Sequence, residues 1–118
     1  MKALGKHLIV ELYDCDSRLI SDVDYIREAM MLCAKEAKTT IIESIFHQFK
    51  PYGVSGVIVI AESHLSIHTW PEHKFASVDL FTCGDHSDPW KAFKIIKKKL
   101  KAKYFSVIKM ERGVLLDD

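Results

Sequence analysis

The chain has 118 residues, of which 48% are hydrophobic and 28% charged, and its formal net charge is +1. A chain of this size is expected to form one domain, spanning 1–118, and its composition excludes a disordered or membrane-spanning protein. The balanced charge gives no indication of a nucleic-acid partner. The apolar run at 57–61 is far too short to cross a bilayer.

The cysteines and the first residues indicate the compartment. Cys15, Cys33 and Cys83 form no CxxC motif and cannot all pair, which fits a reducing environment. His7 and Glu11 stand where a signal peptide needs an unbroken apolar stretch. We therefore expect a cytoplasmic protein that does not contact membranes.

The predicted elements follow one another with short connections. Residues 6–13 alternate as a strand, and apolar residues recurring every three or four positions from 23 to 37 predict a helix that begins near Ser21 or Asp22. Asp88 and Pro89 are typical of the start of a second helix, ending near Lys101. Further strands are predicted at 40–49, 54–61, 65–70, 75–83 and 104–111.

The order β-α-β-β-β-β-α-β predicts an α+β fold. Because short turns force neighbouring strands to run antiparallel, we expect a two-layer α/β sandwich with both helices on one face of an antiparallel sheet.

The two faces of this sheet differ in polarity. Alternation directs apolar side chains at the helices, for example Leu8, Val10, Ile58 and Leu80. The other face receives a mixture of polar and apolar residues: His7, Ile9, Glu11, Ser55, Val57, Val59, Ser66, His68, Trp70, Ser77, Asp79, Phe81 and Cys83. Since this face is too apolar to be left in water, we predict a homodimer, stacked sheet against sheet as αββα, that shelters reactive groups between the layers.

Polar residues crowd the stretch that follows the most apolar strand. A metal site is one interpretation of the set His64, His68, His73, Glu62, Glu72 and Cys83. The alternating pattern from 65 to 70, however, indicates a strand rather than a helix. There, His64 and His68 lie about 13 Å apart, too far to share one ion. We therefore expect no metal.

The serine in this stretch admits two interpretations from the residues alone. Ser63 is typical of an ordinary turn serine. Alternatively, if the turn strains the peptide bond, the Ser63 hydroxyl can attack the adjacent Glu62 carbonyl in an intramolecular reaction.

The surrounding motifs resemble a known family. The blocks "PYGVSGVIVI", "ESHLSIHTWPE" and "VDLFTCGD", which together span 51–85, resemble the small prokaryotic S-adenosylmethionine decarboxylases, and "GKHLIVELYDCD" and "DPWKAF" fit as well. The resemblance implies a proenzyme that cleaves itself between Glu62 and Ser63. It also implies that Ser63 becomes a pyruvoyl cofactor, which forms a Schiff base with S-adenosylmethionine during decarboxylation for polyamine (spermidine) synthesis.

The resemblance also implies roles for single residues. His68 is expected to be the base for cleavage, Ser55 to assist it, and Cys83 to donate a proton during decarboxylation. Glu72 is expected to hold the ribose hydroxyls, and Phe49 and Trp70 are candidates to stack on adenine. The alternatives are the same pyruvoyl chemistry acting on arginine or ornithine, or a non-catalytic α/β interaction domain.

Overall fold

A computed structural model of the chain describes residues 2–116. It contains six strands: β1 (Ala3–Tyr13), β2 (Ile41–Gln48), β3 (Val54–Ile60), β4 (Ser63–Trp70), β5 (Phe75–Cys83) and β6 (Tyr104–Val114). Its α-helices are α1 (Ser17–Ile20), α2 (Val23–Glu36) and α3 (Pro89–Lys99), and a 3₁₀ turn covers Pro71–His73. The predicted order of strands and main helices is confirmed.

All six strands form one antiparallel sheet in the order β2-β3-β4-β5-β1-β6. The consecutive strands β2 to β5 are neighbours because the connections between them are short. The first strand is inserted between β5 and β6, so that β1 pairs with β5 on one side and with β6 on the other.

The helices begin where the sequence predicts. The Asp22 side chain accepts hydrogen bonds from two backbone N–H groups in the first turn of α2. Asp88 accepts one from the Lys91 N–H in α3, which has Pro89 in its first turn. The short helix α1, which Asp16 caps, was not predicted because four residues are too few to show a helical period.

The core lies between the helices and one face of the sheet. The predicted inward residues are buried, including Leu8, Val10, Ile58 and Leu80, and the helices cover them with Ile26, Met30, Ile96 and others. Cys33 is fully buried in this core, as its place on the apolar stripe of α2 predicts. The predicted α+β two-layer fold is therefore confirmed.

Within residues 2–116, no helix covers the opposite face of the sheet. It carries exposed apolar side chains on β2, β3 and β6, among them Ile45 at 72% exposure, Val59 at 44% and Ile108 at 64%. We call this surface, with the polar side chains interspersed on it, the open face. Residues of β1, β4 and β5 that share it contact one another through hydrogen bonds, such as that between Ser77 and Glu11.

Candidate active site

A tight turn joins β3 to β4. Because Ile60 pairs with Ser63, the turn consists of Ala61 and Glu62 alone. Two-residue hairpin turns favour positive φ angles at the turn residues, yet here the positive φ, +146°, falls on Ser63. An L residue rarely adopts this conformation, which costs on the order of 1–3 kcal/mol. The backbone strain of the hairpin thus lies beside the Glu62–Ser63 peptide bond.

The extent of β4 differs from the sequence prediction. The strand was expected to begin at Leu65, but Ser63 and His64 already pair with β3. These polar residues are poor indicators of a strand, and the pairing with Ile60 and Val59 overrides their local preference.

The Ser63 hydroxyl contacts a histidine other than the one expected. Its Oγ lies 3.3 Å from Nδ1 of His64. His68 is five residues further along β4, which on an extended strand corresponds to about 16 Å. Within one chain, therefore, the structure does not bring His68 to Ser63.

His68 and Ser55 are brought together at the other end of the sheet. They are direct cross-strand partners between β3 and β4. The His68 ring lies 4.3 Å from Trp70 and 5.6 Å from Phe49, measured between ring centroids. His47, which pairs with Ser55 from β2, also contacts Phe49. The two expected processing residues and the two expected stacking aromatics thus form one cluster.

Cys83 lies at the same end of the sheet as Ser63. It is the last residue of β5 and is half-buried. Its cross-strand partner is Gly5, where an added Cβ would lie only 3.0 Å from the Cys83 Sγ. The following loop is held by Ser87, whose Oγ donates to the carbonyls of Cys83 and Gly84. The absence of a side chain at Gly5 thus makes room for the Cys83 thiol.

The Glu62 carboxylate accepts three hydrogen bonds. The Thr40 N–H donates to Oε1 at 3.0 Å, the Thr40 hydroxyl to Oε2 at 3.3 Å, and the His86 Nε2–H to Oε2 at 3.0 Å. The Thr40 N–H, followed by the His86 ring, holds the pKa of this carboxyl below its ordinary value. Glu62 is therefore fixed between the start of β2 and the loop that follows Cys83.

Glu72 lies apart from the aromatic cluster. It is exposed in the 3₁₀ turn and lines a surface cavity of about 470 Å³ together with Ser17, Arg18, Ser21, Tyr52 and Pro71. Trp70 instead lines a different cavity, with Tyr13, His73 and Phe75.

Sequence reasoning missed the polar network at the centre of the open face. Arg112 donates to His7 Nδ1 at 2.8 Å, His7 Nε2 lies 3.0 Å from Asp79, and the Ser66 hydroxyl donates to the same carboxylate at 3.1 Å. Because arginine can only donate, Nδ1 is unprotonated and the proton is on Nε2. The two-residue alternation placed three of these residues on one face, but Arg112 lies beyond the predicted end of β6.

Two absences within residues 2–116 concern metal binding and membrane insertion. No group of three or more His, Cys, Asp or Glu side chains is arranged to hold a metal ion. No helix in that range is long and apolar enough to cross a membrane.

Comparison with known proteins gives the family. The sequence profile described as S-adenosylmethionine decarboxylase matches residues 6–113. The chain belongs to the S-adenosylmethionine decarboxylase family. The resemblance seen in the sequence motifs is thereby confirmed, and Ser55, Glu62, Ser63, His68 and Cys83 all lie within the matched region.

Individual relatives agree with this assignment to the S-adenosylmethionine decarboxylase family. The S-adenosylmethionine decarboxylase proenzymes of Thermotoga petrophila and Thermotoga maritima are each 56% identical over 113 residues, which cover 96% of this chain and 87% of each relative. The crystal structure of the adenosylmethionine decarboxylase from Aquifex aeolicus matches with a TM-score of 0.94 and 42% identity, covering 100% of this chain and 98% of that one. The Trypanosoma brucei AdoMetDC-delta26 monomer shares the fold at 23% identity and a TM-score of 0.63, covering 88% of this chain and 45% of its own.

Proposed function

We propose that this chain is a proenzyme that cleaves itself between Glu62 and Ser63 and then decarboxylates S-adenosylmethionine, releasing carbon dioxide. The observation that carries the proposal is the backbone at Ser63, whose φ of +146° places strain beside the bond to be cut. The relatives named above as S-adenosylmethionine decarboxylase proenzymes support both the precursor and the substrate.

Self-cleavage needs no reactant other than water. The Ser63 Oγ attacks the Glu62 carbonyl carbon, the C–N bond breaks, and the hydroxyl proton passes to the freed nitrogen, so that an ester replaces the amide. Loss of the Ser63 α-proton then breaks the Cβ–O bond, which leaves a Glu62 carboxylate and a dehydroalanine. Hydrolysis of its imine form releases ammonia and leaves a pyruvoyl group. The products are fragments of 62 and 118 − 62 = 56 residues.

The surroundings of Ser63 fit a pyruvoyl group at this position. Residue 63 is half-buried and begins β4, so its side chain is accessible yet held by the sheet. A pyruvoyl group supplies a carbonyl that can bind the substrate amine and accept electrons as carbon dioxide leaves. Cys83, at the same end of the sheet, is our candidate for returning a proton to the substrate α-carbon.

His68 and Ser55 can act on Ser63 only across an interface. A general base must come within about 3 Å of the proton that it removes, whereas His68 lies about 16 Å along its own strand from Ser63. In a two-fold dimer stacked through the open faces, residue i of one protomer meets residue j of its partner, and j meets i. We therefore infer that each processing site combines Ser63 and Cys83 of one chain with His68 and Ser55 of the other.

The exposed apolar side chains support this dimer. Ile45, Val59 and Ile108 are unlike a surface that stays in water, and a second open face would cover them. The same interface would enclose the aromatic cluster around His68. Phe49 and Trp70 are our candidates for stacking on adenine, and the face of an aromatic ring also attracts the cationic sulfonium.

Glu72 is our candidate for the ribose hydroxyls. A carboxylate accepts hydrogen bonds from paired hydroxyls. The cavity of about 470 Å³ that Glu72 lines together with Tyr52 offers room for such a group.

Steady-state assays with S-adenosylmethionine, arginine and ornithine test the substrate. We expect carbon dioxide release from S-adenosylmethionine only, and the Cys83→Ala variant should process itself but decarboxylate poorly. Release from arginine or ornithine in place of S-adenosylmethionine would overturn the substrate assignment. A chain that remains uncut and inactive on all three would support an interaction domain.

A further inference from the structure

We propose that the Glu62 side chain is a positioning group for self-cleavage, because its hydrogen bonds to Thr40 and His86 hold the carbonyl side of the Glu62–Ser63 bond in place. The inference rests on the proposed function and assigns a role to three residues that lie outside the expected catalytic set.

Both residues on the carbonyl side of the bond, Ala61 and Glu62, form hydrogen bonds with Thr40. The Ala61 N–H donates to the Thr40 carbonyl at 2.8 Å, and the Thr40 N–H returns a hydrogen bond to Glu62 Oε1 at 3.0 Å. The second bond is charge-assisted, which makes it stronger than a neutral one. Although Glu62 is a turn residue, its side chain is only 11% exposed, whereas the His86 ring is 59% exposed.

The nitrogen side of the bond is held by the sheet. Ser63 pairs with Ile60 across the hairpin and carries the φ of +146°. If the Glu62 side were free, the turn could rotate and relax this conformation. Because both sides are held, the strain stays at the peptide bond, and the Ser63 hydroxyl stays near the carbonyl carbon that it attacks.

The third contact joins the cleavage site to the loop after Cys83. The His86 ring lies against Gly84, where an added Cβ would come within 2.8 Å of the ring. Gly84 has a φ of +87°, which glycine adopts readily and other residues rarely do. Gly84 thus provides both the turn and the space through which His86 reaches Glu62. The clamp formed by Glu62, Thr40 and His86 therefore fixes Ser63 and the Cys83 loop relative to each other.

The test compares cleavage rates of freshly synthesised chains. Wild type, Glu62→Ala, Glu62→Gln, His86→Ala and the Glu62→Ala/His86→Ala double variant are made in a cell-free system and followed by intact mass. Asp85→Asn is the matched control, because Asp85 is an exposed carboxylate next to His86 for which the structure shows no hydrogen bond among residues 2–116. Hydroxylamine, which cleaves esters, reports whether the variants reach the ester stage. Circular dichroism melting reports folding.

We expect Glu62→Ala to cleave up to about 100-fold more slowly, since small misplacements of reacting groups cost rates of this order. Hydroxylamine should not restore the rate, because positioning acts before the ester forms. Glu62→Gln should recover part of the rate, as its amide oxygen can still accept from Thr40. His86→Ala should slow cleavage less, and the double variant should be no slower than Glu62→Ala.

Four outcomes would count against the inference or a part of it. A folded Glu62→Ala chain that cleaves at the wild-type rate would overturn the inference alone. Additive effects of Glu62→Ala and His86→Ala would overturn the link between these two residues. Failure of the wild type to cleave would overturn the proposed function and the inference with it. If Glu62→Ala does not fold, then unchanged cleavage in both Glu62→Gln and His86→Ala is the overturning result.

Discussion

Mixing two inactive variants tests whether the processing site is shared between chains. A Ser63→Ala chain can never be cut, but it still carries His68. A His68→Ala chain has the bond to be cut but lacks the proposed base. Each variant alone should therefore remain full length, or nearly so.

The expected magnitude follows from the sheet geometry. Five residues of β4 separate Ser63 from His68 by about 16 Å, while proton transfer needs about 3 Å. A shared site therefore joins Ser63 of the His68→Ala chain to His68 of the Ser63→Ala chain. If the chains associate at random in equal amounts, about half of the His68→Ala chains lie in mixed dimers and become cleavable. Once mixed dimers are separated from the rest, nearly all of their His68→Ala chains should be cut.

Differently tagged variants, co-expressed and purified through both tags, allow the mixed dimers to be assayed by intact mass. The matched control pairs His68→Ala with a Ser63→Ala/His68→Ala chain, in which neither partner supplies the histidine and no cleavage is expected. Uncut His68→Ala chains in the mixed dimer, beside a wild type that cleaves, would refute the shared site. Full cleavage of His68→Ala alone would refute His68 as the base.

Three further predictions concern single groups. Burial raises the pKa of the Cys15 thiol to about 11 and of the Cys33 thiol to about 12, so alkylation of the native chain near neutral pH should label Cys83 alone; adducts on the other two would contradict their burial. Leu80→Ala should lower the free energy of unfolding by about 2–5 kcal/mol in urea denaturation, because Leu80 is fully buried. Ionised Glu62 stabilises the fold at pH values above the ordinary pKa of glutamate, and this stabilisation is lost as the pH falls through its lowered pKa. In an acid titration of uncleavable Ser63→Ala chains, the further change Glu62→Gln should therefore make the stability less sensitive to acid. Unchanged acid sensitivity would contradict the clamp.

The sequence predicted the layers of the fold because alternation is a local signal. Leu65 and Ile67 on β4 are two positions apart, as are Val78 and Leu80 on β5, and this period alone assigns them to the helix-facing side. The same period put Ser55 and His68 on the opposite face. The cap residues Asp22 and Asp88 likewise act on N–H groups within their own first turns, so both helix starts could be predicted from short motifs.

Other features depend on contacts between distant parts of the chain. The hydrogen bond between His7 and Arg112 exists because β6 pairs with β1, and no local pattern specifies that neighbour. The bond between Glu62 and His86 requires the hairpin and the loop after β5 to meet. The predicted strand began at Leu65 and left Ser63 in the turn before it. In the structure β4 carries both Ser63 and His68, which separates them by about 16 Å.

The most direct test of the central claim is the intact mass of the purified protein after prolonged incubation. We predict two fragments, of 62 and 56 residues, with the shorter one beginning in a pyruvoyl group that reacts with a carbonyl reagent such as phenylhydrazine. A single 118-residue chain would contradict self-cleavage, and a 56-residue fragment that begins with an unmodified Ser63 amine would contradict formation of the pyruvoyl group.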